Sequence, residues 1–140
     1  AKAIFETAFA MQDAVRSHPE LTIIGNPTFC FSFRSDEFDI YHVADALKPK
    51  GWRFNGQQYP NAIHMAVTRP QTQPGVVAAF AADLDDAVEY AKKKTAAGEP
   101  AVSAAIYGGV PGGLTTEGAQ FIEAMMEQIL DTQQSVPPVS

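Results

Sequence analysis

The chain has 140 residues, with 10 Lys and Arg against 16 Asp and Glu and a net charge of −6. That length predicts one domain, and 46% hydrophobic beside 19% charged residues excludes an intrinsically disordered chain. The acid excess argues against nucleic-acid binding, the lone Cys30 excludes an internal disulfide or a thiolate zinc site, and no apolar run approaches the ~18 residues of a membrane span.

The chain opens at Ala1-Lys2-Ala3-Ile4-Phe5, inside a helical pattern and without a methionine, which predicts a piece cut from a longer protein. Ile4, Ala8, Met11 and Val15 recur at helical spacing, and Phe5 and Phe9 widen that stripe. The helix stops before Pro19. Leu21 to Ile24 is a β-branched run closed by the turn cluster Gly25-Asn26-Pro27. Phe29, Phe31 and Phe33 then alternate with Cys30, Ser32 and Arg34, which predicts a strand with three rings on one face.

Ser35-Asp36-Glu37 reads as a helix start, followed by the stripe Ile40, Ala44 and Leu47 and a stop at Pro49 and Gly51. Trp52 and Phe54 alternate in a short strand closing at Asn55-Gly56. In the next strand Ile63, Met65 and Val67 face one way and Ala62, His64, Ala66 and Thr68 the other. Thr72-Gln73-Pro74-Gly75 opens the longest helix, with Pro in its first turn. Val77, Phe80, Leu84, Ala87, Val88 and Ala91 form its buried stripe, Lys92 to Lys94 its basic end, and Gly98 and Pro100 its stop. Ala101 to Gly113 reads as a loop of small residues. A final helix capped by Thr116 buries Ile122, Met125, Met126 and Ile129, and 135–140 reads as a frayed tail.

This order predicts an α+β fold: a small antiparallel sheet with helices on one face. The Phe29/Phe31/Phe33 face meets the helices. The opposite face, with Cys30, Ser32, Ala62, His64 and Ala66, is small and half-polar, suited to water or to docking on further polypeptide.

Few residues invite chemistry. Cys30 and His64 share the small-residue face as a conceivable nucleophile pair, but no orienting acid or oxyanion loop accompanies them, and a packed thiol beside an ordinary imidazole is the better reading. His18, His42 and His64 lack metal-ligand spacing. Asp83, Asp85, Asp86 and Glu89 read as a solvated helix face, with Glu89 supporting Lys93. The double-glycine loop lacks the spacing of a phosphate loop. Its Tyr107 is the exception: a hydroxyl-bearing ring in a Gly/Ala-rich loop can close over a neighbouring site.

The run from Thr28 to Tyr107 carries a series of short words in fixed order. They are Asp39-Ile40-Tyr41, Lys50-Gly51-Trp52, Asn55-Gly56, Ile63-His64-Met65-Ala66-Val67-Thr68, Thr72-Gln73-Pro74-Gly75-Val76, Phe80, Asp83-Leu84, Ala87-Val88 and Ile106-Tyr107-Gly108. In this it resembles the C-terminal small domain of pyridoxal-phosphate-dependent lyases of the group II decarboxylase type, above all the sphingosine-1-phosphate lyase branch. The resemblance implies an aspartate-aminotransferase-like (fold type I) enzyme, in which residues 1–134 are the small C-terminal domain, 1–17 the connector helix from a large domain, and 135–140 a disordered tail.

The resemblance further implies a homodimer with active sites at the subunit boundary. It places the pyridoxal 5′-phosphate lysine in the large domain, so Lys2, Lys48, Lys50 and Lys92 to Lys94 read as surface charges and this chain alone as inactive. It implies cleavage of a phosphorylated, sphingoid-base-like amino alcohol to an aldehyde and phosphoethanolamine. Tyr107 matches a family position near the active site, as a candidate for proton transfer or phosphate contact. A cytoplasmic bacterial protein is the expectation. Two alternatives stay open: the small domain of an amino-acid decarboxylase, and a non-catalytic α+β binding module.

Overall fold

A computed structural model describes residues 1–25 and 27–106. Tyr107, the loop after it, the helix placed at Thr116 and the tail 135–140 lie outside the described residues.

Helix α1 runs Lys2–Arg16 and buries Ala8, Met11 and Val15 as its spacing requires. Phe5 and Phe9 do not join that face; they are 40% and 48% exposed. At 3.6 residues per turn they lie roughly 60–100° round the helix from Ala8, beyond the edge of the stripe. Gln12 is buried instead, its side-chain amide donating to the carbonyl of Thr28 at 2.9 Å.

Strands β1 (Leu21–Ile24) and β2 (Cys30–Ser35) pair antiparallel, with Ile23 opposite Phe33. Phe31 and Phe33 enter the core, but Phe29 precedes the strand and is 46% exposed. Its ring meets Phe5 edge-on at 6.2 Å, so the third aromatic of the alternation belongs to the surface.

The expected helix start at Ser35 is a turn. Ser35 Oγ accepts from the amides of Glu37 and Phe38, which brings Phe38 into the core. Helix α2 begins at Ile40 and ends at Leu47, with Asp39 as the cap accepting from the Tyr41 amide at 3.0 Å. A 3₁₀ turn, Lys48–Lys50, follows, and Gly51 leaves it at φ 92°, a conformation that favours glycine.

The strand expected at Trp52 and Phe54 lies further on, as β3 (Asn55–Gln57). The Trp52 ring packs edge-on against Phe80 at 5.2 Å. β4 (Ala62–Ala66) pairs with both β2 and β3, giving the all-antiparallel order β1-β2-β4-β3. Ile63 and Met65 point inward, and Val67 continues the inward row, its amide bonded to the carbonyl of Phe29.

Helix α3 runs Val76–Ala96. Pro74 stands before its first turn, not in it, because Gly75 at φ 87° takes the capping position. Phe80, Leu84, Ala87, Val88 and Ala91 are buried as expected. Part of the predicted small-residue loop is a helix: α4 spans Val102–Ile106. The core lies between the sheet and α1, α2 and α3, centred on Phe31, Phe33, Tyr41, Leu47, Ile63 and Phe80. This is the expected α+β layer arrangement.

Candidate functional site

The outer face of the sheet gathers the small polar residues. Cys30 stands opposite Ala66, and Ser32 opposite His64. His64 therefore shares its hydrogen bond with the Ser32 hydroxyl, Nδ1 to Oγ at 2.9 Å. Cys30 sits one diagonal away, half-buried. The conceivable Cys30/His64 pair is thus replaced by Ser32/His64 in the same cross-strand row as Ile24 and Asn55. On that face the carboxylate of Asp36 is held by the Arg34 guanidinium, so it does not orient the imidazole. A hydroxyl beside a ring nitrogen, without an acid, makes a polar anchor on an open sheet and not an activated nucleophile.

The three histidines are dispersed. His18 Nε2 lies 2.8 Å from Asp85, His42 is buried edge-on to Tyr90, and His64 faces Ser32. Among the described residues no three His, Cys, Asp or Glu side chains group as metal ligands.

The acids of α3 are not simply solvated. Asp83 accepts from the Trp52 indole at 2.8 Å and lies 3.4 Å from the Lys50 ammonium, while Asp86 lies 3.3 Å from the same ammonium. Glu89 pairs with Lys92 at 3.6 Å, one residue earlier than the expected Lys93. Asp83 and Asp86 fasten α3 to the 48–54 segment, and Asp85 ties it to His18, just past α1. Partial burial pulls the Lys50 pKa down, but hydrogen bonds to Asp86 and Asp83 outweigh it and hold the ammonium above its ordinary value. The 48–54 segment borders an open groove of about 560 Å³, whose basic lip is partly neutralised by these two acids.

The most closely specified polar cluster sits at the start of α4. Both oxygens of Asp45, on α2, are used. Oδ2 accepts from the Val102 amide at 2.8 Å and Oδ1 from the Ser103 amide at 2.8 Å. The Ser103 hydroxyl also donates to Oδ1. Ser103 is buried, and Asp45 half-buried. Four residues past Ser103 in the chain comes Tyr107, the candidate drawn from sequence. Tyr107 itself lies outside the described residues.

Sequence reading overlooked both Ser32 and Asp45. For Ser32 no local signal exists, because its partner comes from a strand 32 residues away. Asp45 did carry one: a lone acid between Ala44 and Ala46 on a mostly apolar helix.

A solved structure of the sphingosine-1-phosphate lyase of Burkholderia pseudomallei superposes on 97% of this chain with a TM-score of 0.65 and 48% identity. The chain is related to the sphingosine-1-phosphate lyases. The sphingosine-1-phosphate lyase of Drosophila melanogaster is 37% identical over 109 residues, 76% of this chain. The Rattus norvegicus sphingosine-1-phosphate lyase 1 is 28% identical over 140 residues, 99% of this chain. No protein-family model matches. The chain spans about a quarter of the length of the bacterial lyase and 20% and 24% of the fly and rat lyases. Its four-stranded antiparallel sheet and covering helices are thus a segment of the lyase architecture. Among the described residues no helix is long and apolar enough to cross a membrane.

Proposed function

We propose that this chain is the small C-terminal domain, 1–134 with 1–17 as connector helix, of a pyridoxal-phosphate-dependent carbon–carbon lyase. Its substrate is a phosphorylated, sphingoid-base-like amino alcohol, cleaved to an aldehyde and phosphoethanolamine. The observation that carries this reading is the 48% identity to the bacterial lyase across 97% of the chain, in the same fold. The reading includes a large domain as partner, a homodimer and a cytoplasmic setting.

The chain's own lysines do not fit the cofactor's covalent anchor. All six are exposed or half-exposed. Lys2 pairs with Glu6, Lys50 with Asp83 and Asp86, Lys92 with Glu20 and Glu89, and Lys94 with Glu99. A lysine that bonds a carbonyl cofactor must give up its proton readily, which burial or a neighbouring cation promotes. Here hydrogen bonds to Glu20 and Glu99 raise Lys92 and Lys94, and Lys50 is raised as well. In this reading the cofactor is held elsewhere in the lyase, and this chain contributes a wall of the site and Tyr107.

Two measurements test it. Incubation of the 140-residue chain with pyridoxal phosphate followed by borohydride is expected to label no single lysine. The whole gene product, given a sphingoid-base phosphate, is expected to release a long-chain aldehyde and phosphoethanolamine. Carbon dioxide release from an amino acid instead would establish a decarboxylase, and neither product a binding module.

A further inference from the structure

We propose that Phe5, Phe9 and Phe29 form the face on which the large domain of the same polypeptide docks. The occupant rests on the lyase reading above; the face itself rests on geometry.

Among the described residues, the large hydrophobic side chains left exposed are these three phenylalanines, at 40%, 48% and 46%, and Tyr59. A cluster of exposed rings is informative where a single one is not. Phe5 and Phe9 stand one turn apart on α1. The Phe5 ring meets Phe29 edge-on at 6.2 Å. Gln12, the next turn along that flank, is buried and donates to the Thr28 carbonyl at 2.9 Å, which fixes α1 beside the stretch carrying Phe29. Tyr59 is separate: Phe29 is bonded to Val67, past one end of β4, and Tyr59 precedes the other end.

Helix α1 is thus apolar beyond a single stripe. Ala8, Met11 and Val15 fill the core of this fold, and the Phe5/Phe9 flank stays open. A helix apolar over so wide an arc is one that becomes buried on more than one side. Lys2, Glu6 and Asp13 lie within roughly 60° of Phe9 round the helix. Their ion pairs, Lys2 with Glu6 and Asp13 with Arg16, give the apolar face a polar rim.

Area decides the occupant. The exposed parts of the three side chains come to about 300 Å², taking roughly 200 Å² for each phenylalanine. A stable complex between separate molecules needs about 800 Å² on each partner, so this face is too small to hold a second copy. Domains within one chain use interfaces from about 600 Å² in total, or about 300 Å² a side. Their tether supplies the effective concentration that area would otherwise have to replace. The chain spans 25% of the bacterial lyase it superposes on, so the greater part of such a lyase remains to form the docked body. With α1 as the connector helix, the face sits at the joint between the two domains.

The test is hydroxyl-radical footprinting of the whole gene product by mass spectrometry, each rate divided by its value in denaturant. Phe33 and Phe80, fully buried, are the internal references. Phe5, Phe9 and Phe29 are expected at about a tenth of their unfolded rates or less, as in the core of an interface. Rates near half the unfolded value, which 40–48% exposure would give, would overturn the proposal. Benzoylphenylalanine in place of Phe9, with isotopically labelled and unlabelled copies mixed, identifies the occupant on illumination. Cross-links within one copy, to residues outside these 140, are expected. Cross-links to a second copy, to lipid or to no protein would overturn the docking. Should that variant not fold, the footprint of the unaltered protein decides. Aldehyde release reads the reaction separately: a covered face without aldehyde removes the substrate reading alone, and aldehyde with an open face removes the docking alone.

Discussion

The indole N–H of Trp52 donates to the Asp83 carboxylate at 2.8 Å while the same ring lies edge-on to Phe80, 5.2 Å between centroids. Trp52 is thereby held against α3 by one polar and one apolar contact. Asp83→Ala leaves the indole N–H half-buried without its acceptor and takes one acid from Lys50. The expected cost is about 1–3 kcal/mol, read by urea unfolding with the fluorescence of this lone tryptophan. An unchanged midpoint would show that water replaces the carboxylate.

Phe80 and Phe29 give opposite expectations despite identical chemistry. Phe80 is fully buried, and Phe80→Ala should cost about 3–5 kcal/mol through lost burial and a residual cavity. Phe29 is 46% exposed outside its strand, so Phe29→Ala should cost less than about 1.5 kcal/mol, below the value for full burial. Equal losses in denaturant melts would restore Phe29 to the core.

Stability should fall at high pH. Lys50, Lys92 and Lys94 are each raised above 10.5 by acidic partners in the fold. A raised lysine contributes stability fully below its unfolded pKa and loses it as pH climbs through the folded value. The effect is small because these pairs are exposed and screened by salt. Thermal midpoints for the unaltered chain and Lys50→Met should converge above that range and differ below it. A constant difference at every pH would rule out the ion pairs as the cause.

Ser32 and His64 should behave as a structural pair. Each single change to alanine is expected to cost about 0.5–1.5 kcal/mol, and the double change less than the sum, because both remove one bond. Strict additivity in a double-mutant cycle would mean that the 2.9 Å contact contributes nothing. Cys30 stands outside the bond, so Cys30→Ala should leave the coupling intact.

Tyr107→Phe tests the proposed chemistry in the complete lyase. A hydroxyl that transfers a proton contributes about 10²-fold or more to kcat, and the loss should appear there with KM little changed. A hydroxyl that only contacts phosphate should raise KM instead. Unaltered values for both would make Tyr107 structural.

Element identity was legible along the chain wherever the decisive interaction was local. The stripe Ala8, Met11, Val15, the alternation Phe31, Phe33 and the stripe from Phe80 to Ala91 all entered the core as spacing required, because burial selects one face of a regular element. Errors gathered at boundaries. Trp52 carries strand-like alternation but was claimed by Phe80 and Asp83 on another helix. Phe29 continues a period of two beyond the point where β2 begins.

Residue spacing alone thus established an acidic α+β layer and the order of its helices and strands from α1 to α3, since those follow from short-range periodicity. Folding in space chose the partners: His64 met Ser32 and not Cys30 because strand register aligned them. Asp45 reached the start of α4 because α2 lies beside it, 57 residues earlier in the chain. Such pairings are set by packing between distant segments, and no window along the chain contains both members.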